Sequence, residues 1–209
     1  MNKSLIIACD GEAASGKSTG AKLLSKKYNL LLLNSGLLYR YASKLLITKK
    51  PEKPIPYLKK KFKKTPYSFI KKQPLHSQEI SNHVGHLAKN KAIREIMRLY
   101  QKKIIKKNKR ICVEGRDIAT KILNNNPKYD LAFYFTCKID IAAKRRWKEL
   151  RKKVPLKEVQ KSLAKRTKMD KKRKHSPLKK VNDAILIRTD KLSKKEVLNK
   201  MSKEVNKII

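Results

Sequence analysis

The sequence predicts a doubly wound α/β fold, with a five-stranded parallel sheet surrounded by helices. Three observations carry this. Five short apolar runs stand apart along the chain: LIIAC, LLLLN, RICV, LAFYF and AILI. They are continuous rather than alternating, as in strands buried on both faces. Segments with helical spacing separate them, and strands alternating with helices mark a parallel sheet with helical crossovers.

The elements follow in order. Ser4 to Cys9 reads as the first strand, followed by a Gly-containing loop and a helix over about Lys17 to Lys27. Leu30 to Leu33 is the second strand and Gly36 to Ile47 the second helix. Lys49 to Pro74 differs. Pro51, Pro54, Pro56, Pro66 and Pro74 stand among many lysines there, so it reads as an inserted irregular segment. Ser77 to Ala88 and Lys91 to Lys107 have helical spacing, with Ile93, Ile96, Met97, Tyr100 and Ile104 three or four apart. Arg110 to Val113, Leu131 to Thr136 and Ala184 to Ile187 complete the strands. Ile139 to Leu150, Leu156 to Lys168 and Leu192 to Val205 read as helices.

Composition narrows the class. The 209 residues suit one domain, and an apolar share of 40% is enough for a core. No run approaches the roughly 18 to 20 apolar residues of a membrane span. The opening MNKSLIIACDGE lacks the small-residue cleavage pattern of a signal peptide. Cys9, Cys112 and Cys137 are scattered, odd in number and free of a CxxC pair. They read as buried small hydrophobes in a reducing cytoplasm. The net charge of +40 attracts polyanions, but only 11 of the 56 cationic residues are arginine. The lysines spread over nearly every polar position, which argues for a general bias rather than a specific nucleic-acid surface.

Gly11-Glu12-Ala13-Ala14-Ser15-Gly16-Lys17-Ser18-Thr19 fits G-x-x-x-x-G-K-[ST], after a strand and at the start of a helix. The glycines let backbone N–H groups curl around an anion, and the helix N-terminus adds its positive end. Lys17 suits β and γ phosphates. The Ser18 hydroxyl suits Mg2+, itself bridging phosphate oxygens. The motif therefore predicts an ATP or GTP site. Two further strands end in arginine motifs, Asn34-Ser35-Gly-Leu-Leu-Tyr39-Arg40 and Glu114-Gly115-Arg116-Asp117. Ligands of α/β sheets bind outside the strands' carboxyl ends, and arginine suits bidentate phosphate binding.

At this point the chain resembles the bacterial cytidylate kinases, P-loop nucleoside monophosphate kinases that move the γ-phosphoryl of ATP to CMP or dCMP. The carriers, in order, are DGEAASGKST, NSGLLYR, SQEISNHVGHLAKNKAIRE, VEGRDIAT, KRTKMDKKRKHSPL and DAILIRTDKLSKKEV. The resemblance implies a core of 1–48, 89–150 and 179–209, a nucleotide-binding insert at about 49–88 and a lid at about 151–178. It implies ATP as donor, Mg2+, small nucleotides as ligands, and a cytoplasmic monomer bound to neither membrane nor specific nucleic acid. Ser35, Arg40 and Arg116 look like CMP ligands, and Arg94 and Asp117 like groups that recognise cytosine. Arg166, Asp170 and Arg173 look like lid residues contacting ribose and phosphates. Lys17, Arg116, Arg166 and Arg173 are the catalytic set. Arg145 or Arg146 resembles an ATP-phosphate arginine, with Arg146 taken, the alternative being an exposed helix face.

The chain departs from the family pattern at several positions. Asn34 and Glu114 stand where Asp is usual. Gly85 falls where a serine touches the base, His76 where arginine is common, and Met169 where the lid has an arginine. The insert is shorter than in longer members. Three other readings compete. A kinase for UMP, shikimate or a coenzyme precursor would share the P-loop. A GTPase would use Thr167-Lys168-Met169-Asp170 to hold guanine, but that pattern follows a polar helical run rather than an apolar strand. A basic nucleic-acid-binding protein would explain the charge alone.

Overall fold

The computed structural model describes residues 3–209, apart from the side chain of Gln78. Met1 and Asn2, which open the run read as lacking a signal peptide, lie outside the described residues. Along the chain the elements are β1 (Leu5–Gly11), α1 (Lys17–Lys27), β2 (Leu31–Asn34), α2 (Ser35–Lys49), α3 (Pro54–Lys64), α4 (Tyr67–Lys71), α5 (Gln78–Leu87), α6 (Lys91–Lys107), β3 (Arg110–Gly115), a π-helical turn (Ile118–Ile122), β4 (Leu131–Thr136), α7 (Ile139–Glu149), α8 (Leu156–Lys172), β5 (Ile185–Arg188) and α9 (Lys194–Val205). They form two compact units, residues 1–33 with 108–209, and residues 34–107.

The sheet has the order β2-β3-β1-β4-β5, all parallel as anticipated. β1 is central, and all its residues but Ile6 are buried. Leu5, Ile7, Phe133 and Phe135 from the strands meet Ala21 and Leu24 of α1 and Met201 of α9 in one apolar core. Continuous apolar strands can be satisfied only this way, with cover on both faces. A capping box, with Ser193 and Glu196 each bonding the other's backbone N–H, starts α9.

The register places the site. Asp10 lies opposite Gly115, Gly11 opposite Phe135, and Thr136 opposite Arg188. The P-loop, the turn bearing Arg116 and the loop after β5 therefore leave the sheet at its carboxyl edge.

The second unit overturns one expectation, because Lys49 to Pro74 is not irregular. It forms α3 and α4. Pro54 and Pro56 lie in the first turn of α3 and Pro66 caps α4, where a missing N–H costs nothing. Leu58 and Phe62, one turn apart, are buried, while Lys59, Lys60, Lys61, Lys63 and Lys64 are exposed. Phe62 packs edge-to-face on Tyr41 (centroids 5.7 Å apart) and on Tyr100 (5.2 Å). This compact unit takes in the whole 49–88 segment and adds α2 and α6 to it.

Two smaller differences matter for the site. α8 runs to Lys172 rather than stopping at Lys168. The π-helical turn after Asp117, closed by Leu123 N–H donating to the Ile118 carbonyl at 2.7 Å, had no signal in the apolar pattern. Among the described residues no helix is long and apolar enough to cross a membrane.

Phe135 is fully buried beneath both Gly11 and Gly20. Its replacement by alanine should lower unfolding free energy by about 3–5 kcal/mol, measured by urea denaturation.

Candidate nucleotide site

The P-loop can form only because of its glycines. A Cβ on Gly11 would lie 2.4 Å from the Phe135 carbonyl oxygen, inside van der Waals contact. Gly16 sits at φ 78°, left-handed, where it turns the chain into the first residue of α1. Within the loop Ser15 Oγ donates to the Glu12 carbonyl at 2.9 Å. From outside, Thr189 Oγ1 donates to the Ser15 carbonyl at 3.0 Å. Thr189 is held in turn by Arg145, whose guanidinium reaches its hydroxyl at 3.1 Å and its carbonyl at 2.7 Å.

Lys17 is buried, with its ammonium 3.6 Å from a Glu114 carboxylate oxygen that accepts no hydrogen bond. Burial and then the Arg116 guanidinium pull the Lys17 pKa below its ordinary value, against the opposing pull of Glu114 and Asp10. Ser18 and Thr19, which follow, are exposed.

Arg116, Asp117, Arg166, Asp170 and Arg173 come together. Asp170 is buried and shared by three guanidiniums. Arg116 Nε approaches one oxygen at 2.9 Å and Arg166 Nε the same oxygen at 3.3 Å, while Arg173 Nη1 approaches the other at 3.3 Å. Arg173 Nη2 lies 3.7 Å from Asp117. Burial raises the Asp170 pKa, but the three arginines outweigh it and hold the carboxyl below its usual range. Helical spacing explains the convergence. Arg166 and Asp170 are four residues apart on α8, and Arg173 is the first residue beyond it. Lys165, Lys168, Lys171, Lys172 and Lys174 are exposed.

This geometry removes the guanine reading. Thr167 to Asp170 lies inside α8, Asp170 faces arginines, and the Thr167 hydroxyl accepts from the Ala13 N–H of the P-loop at 3.4 Å. Lys171 also pairs with Glu12 at 2.6 Å. Beside these contacts lies a cavity of about 500 Å3, lined by Ala13, Cys137, Ile139 and Ala164 and edged by lysines of α8.

Arg146 does not join this group. Its guanidinium turns outward to Glu149 at 3.0 Å, while its neighbour Arg145 supports the P-loop through Thr189. In the second unit, Arg40 donates to the Leu75 carbonyl and to Ser81 Oγ, both at 2.9 Å. Arg94 is buried, donates to the Ala88 carbonyl at 3.1 Å and lies over the Tyr39 ring at 5.7 Å. Ser35 is buried at the start of α2. Asn34, one of the family departures, caps that helix by accepting from Leu37 N–H at 3.2 Å.

Sequence reasoning missed Asp10 and Thr189. Asp10 carries a signal, as a carboxylate at the end of an apolar strand directly before Gly11. It is buried and accepts from the N–H groups of Ile118 at 2.9 Å and Ala119 at 2.8 Å. Burial pushes its pKa up to about 6, although the two N–H bonds oppose the rise. A folded pKa above the ordinary 3.8 means a contribution to stability present below about pH 4 and lost as pH rises through about 6. Between pH 4 and 7 the stability of wild type relative to Asp10→Asn should therefore fall by about 2 kcal/mol, read by urea denaturation of both proteins across that range.

The chain matches the cytidylate kinase family over residues 7–207. It is 33% identical to the cytidylate kinase of Clostridium botulinum (strain Okra), over 96% of this chain and 97% of that one. With a bifunctional pantoate ligase/cytidylate kinase of Prochlorococcus marinus (strain MIT 9312) it shares 38% identity over 96% of its length, and it spans 42% of that longer relative. Its fold is also that of the shikimate kinase from Bacteroides thetaiotaomicron, with a TM-score of 0.53 at 10% identity, covering 97% of this chain and 98% of the other. Because the match runs through every motif placed above, the chain belongs to the cytidylate kinase family.

Proposed function

We propose that the chain transfers the γ-phosphoryl of ATP to CMP and dCMP, giving CDP and dCDP. The observation that carries this reading is one sheet edge that presents both the P-loop lysine and the arginine group around Asp170. Phosphoryl transfer needs alignment and charge neutralisation more than covalent chemistry. Backbone N–H groups of Gly11 to Thr19 would cradle the donor's phosphates. Lys17, Arg116, Arg166 and Arg173 would offset charge spreading over the transferring group. The attacking oxygen belongs to a phosphate already ionised at neutral pH, so no histidine base is required.

Mg2+ suits the donor set. Ser18 offers an exposed hydroxyl oxygen, and hard oxygens of phosphate and water would complete its shell. When bound it neutralises phosphate charge. Ser35, Arg40, Arg94, Arg116 and Asp117 are assigned to CMP, with Arg166, Asp170 and Arg173 of α8 and its end completing its surroundings. Of the two candidate donor-side arginines, Arg145 is the better supported, through its bonds to Thr189.

An ADP-release assay across CMP, dCMP, UMP and AMP tests the acceptor. Turnover with CMP and dCMP well above the others is expected; activity confined to another acceptor refutes the assignment. Lys17→Ala and Arg173→Ala should each lower kcat with CMP by about 100- to 1,000-fold. Wild-type turnover in either variant would remove that residue from the catalytic set.

A further inference from the structure

The turn that follows Asp117 starts in an unusual way. An aspartate directly before a helical turn normally accepts from the free N–H groups of the first turn. Asp117 does not. Its backbone sits at φ −144°, ψ 29°, and its side chain makes no capping bond. The N–H groups of Ile118 and Ala119 go instead to the two oxygens of Asp10, 108 and 109 residues away in sequence. The Asp117 carboxylate lies 3.7 Å from Arg173.

We infer that Asp10 is a positioning residue for the acceptor site: it caps the 118–122 turn from the end of β1 and thereby keeps the Asp117 carboxylate turned toward Arg173. A buried carboxylate is costly and persists where strong partners fix it. Two N–H groups at the positive end of a helical turn are such partners. Without Asp10 the first-turn N–H groups would need another acceptor; Asp117, the residue before the turn, stands at the usual capping position, and turning inward would take it from Arg173. Asp10 touches no substrate in this account and acts through the turn it holds.

The inference rests on the proposed function for its kinetic readout. Asp10→Asn keeps size and shape but leaves one oxygen for two N–H donors. It should lower kcat/KM for CMP at least tenfold while leaving KM for ATP within threefold. In an Asp117→Ala background the same substitution should change kcat/KM less than twofold, because its route of action is gone. Amide hydrogen exchange at Ile118 and Ala119 should speed at least tenfold, with amides of the β1 interior unchanged. A full multiplicative loss in the Asp117→Ala background overturns the inference. So does an equal rise in KM for ATP, or unchanged exchange at the two amides. If wild type phosphorylates none of the four nucleotides, the functional reading falls, and the exchange measurement still decides the capping role. Where Asp10→Asn does not fold, Asp10→Ser serves in every arm.

Discussion

Parallel pairing of β1 with β3 and β4 is the constraint on which the rest of the site depends. It sends three chain segments off the sheet at the same edge, so groups more than a hundred residues apart become neighbours. The close seat of Gly11 on Phe135 then decides where the phosphate loop begins. Thr189 and Arg145 hold the loop from the β5 side, and Asp10 ties β1 to the turn after β3. Each of these supports would be lost if the register slipped by one residue, since alternate side chains face opposite sides of the sheet.

Charge is distributed very unevenly between surface and site. The chain carries 56 lysines and arginines against 16 acids. Among the described residues the buried acids are Asp10, Glu114, Asp117 and Asp170, and all four lie around Lys17, Arg116 and Arg173. The most cationic reagents of the site are thus matched locally, while excess positive charge stays in solvent. Buried cations without such partners would destabilise the fold.

Much of this was legible in the sequence because it depends on local pattern. Five apolar runs announced five strands, and the P-loop announced its own position between a strand and a helix. The position of Arg116 beside the P-loop strand was legible because it directly follows the third strand. What escaped was set by tertiary packing. Lys49 to Pro74 looked irregular because prolines usually break helices; here Pro54 and Pro56 occupy a first turn and Pro66 a cap, Leu58 is buried and Phe62 finds aromatic partners. Arg145 and Arg146 are adjacent on one helix, and only the position of the loop after β5 decides which one faces inward. The cap on the 118–122 turn crosses from another strand, so no local spacing could reveal it.

The cluster around Asp170 also determines how its segment can move. Arg166 and Arg173 belong to the same stretch of chain as Asp170, whereas Arg116 belongs to the turn after β3. A swing of α8 away from the sheet would carry the carboxylate off together with two of its three partners. The Arg116 contact would break, as would the Arg173–Asp117 pair and the links of Lys171 to Glu12 and Thr167 to Ala13, but the carboxylate would keep two of its three partners on the way. Such a segment would behave as a pre-assembled plate: its most buried charge travels with its own counterions, whichever of its contacts to the sheet edge are open.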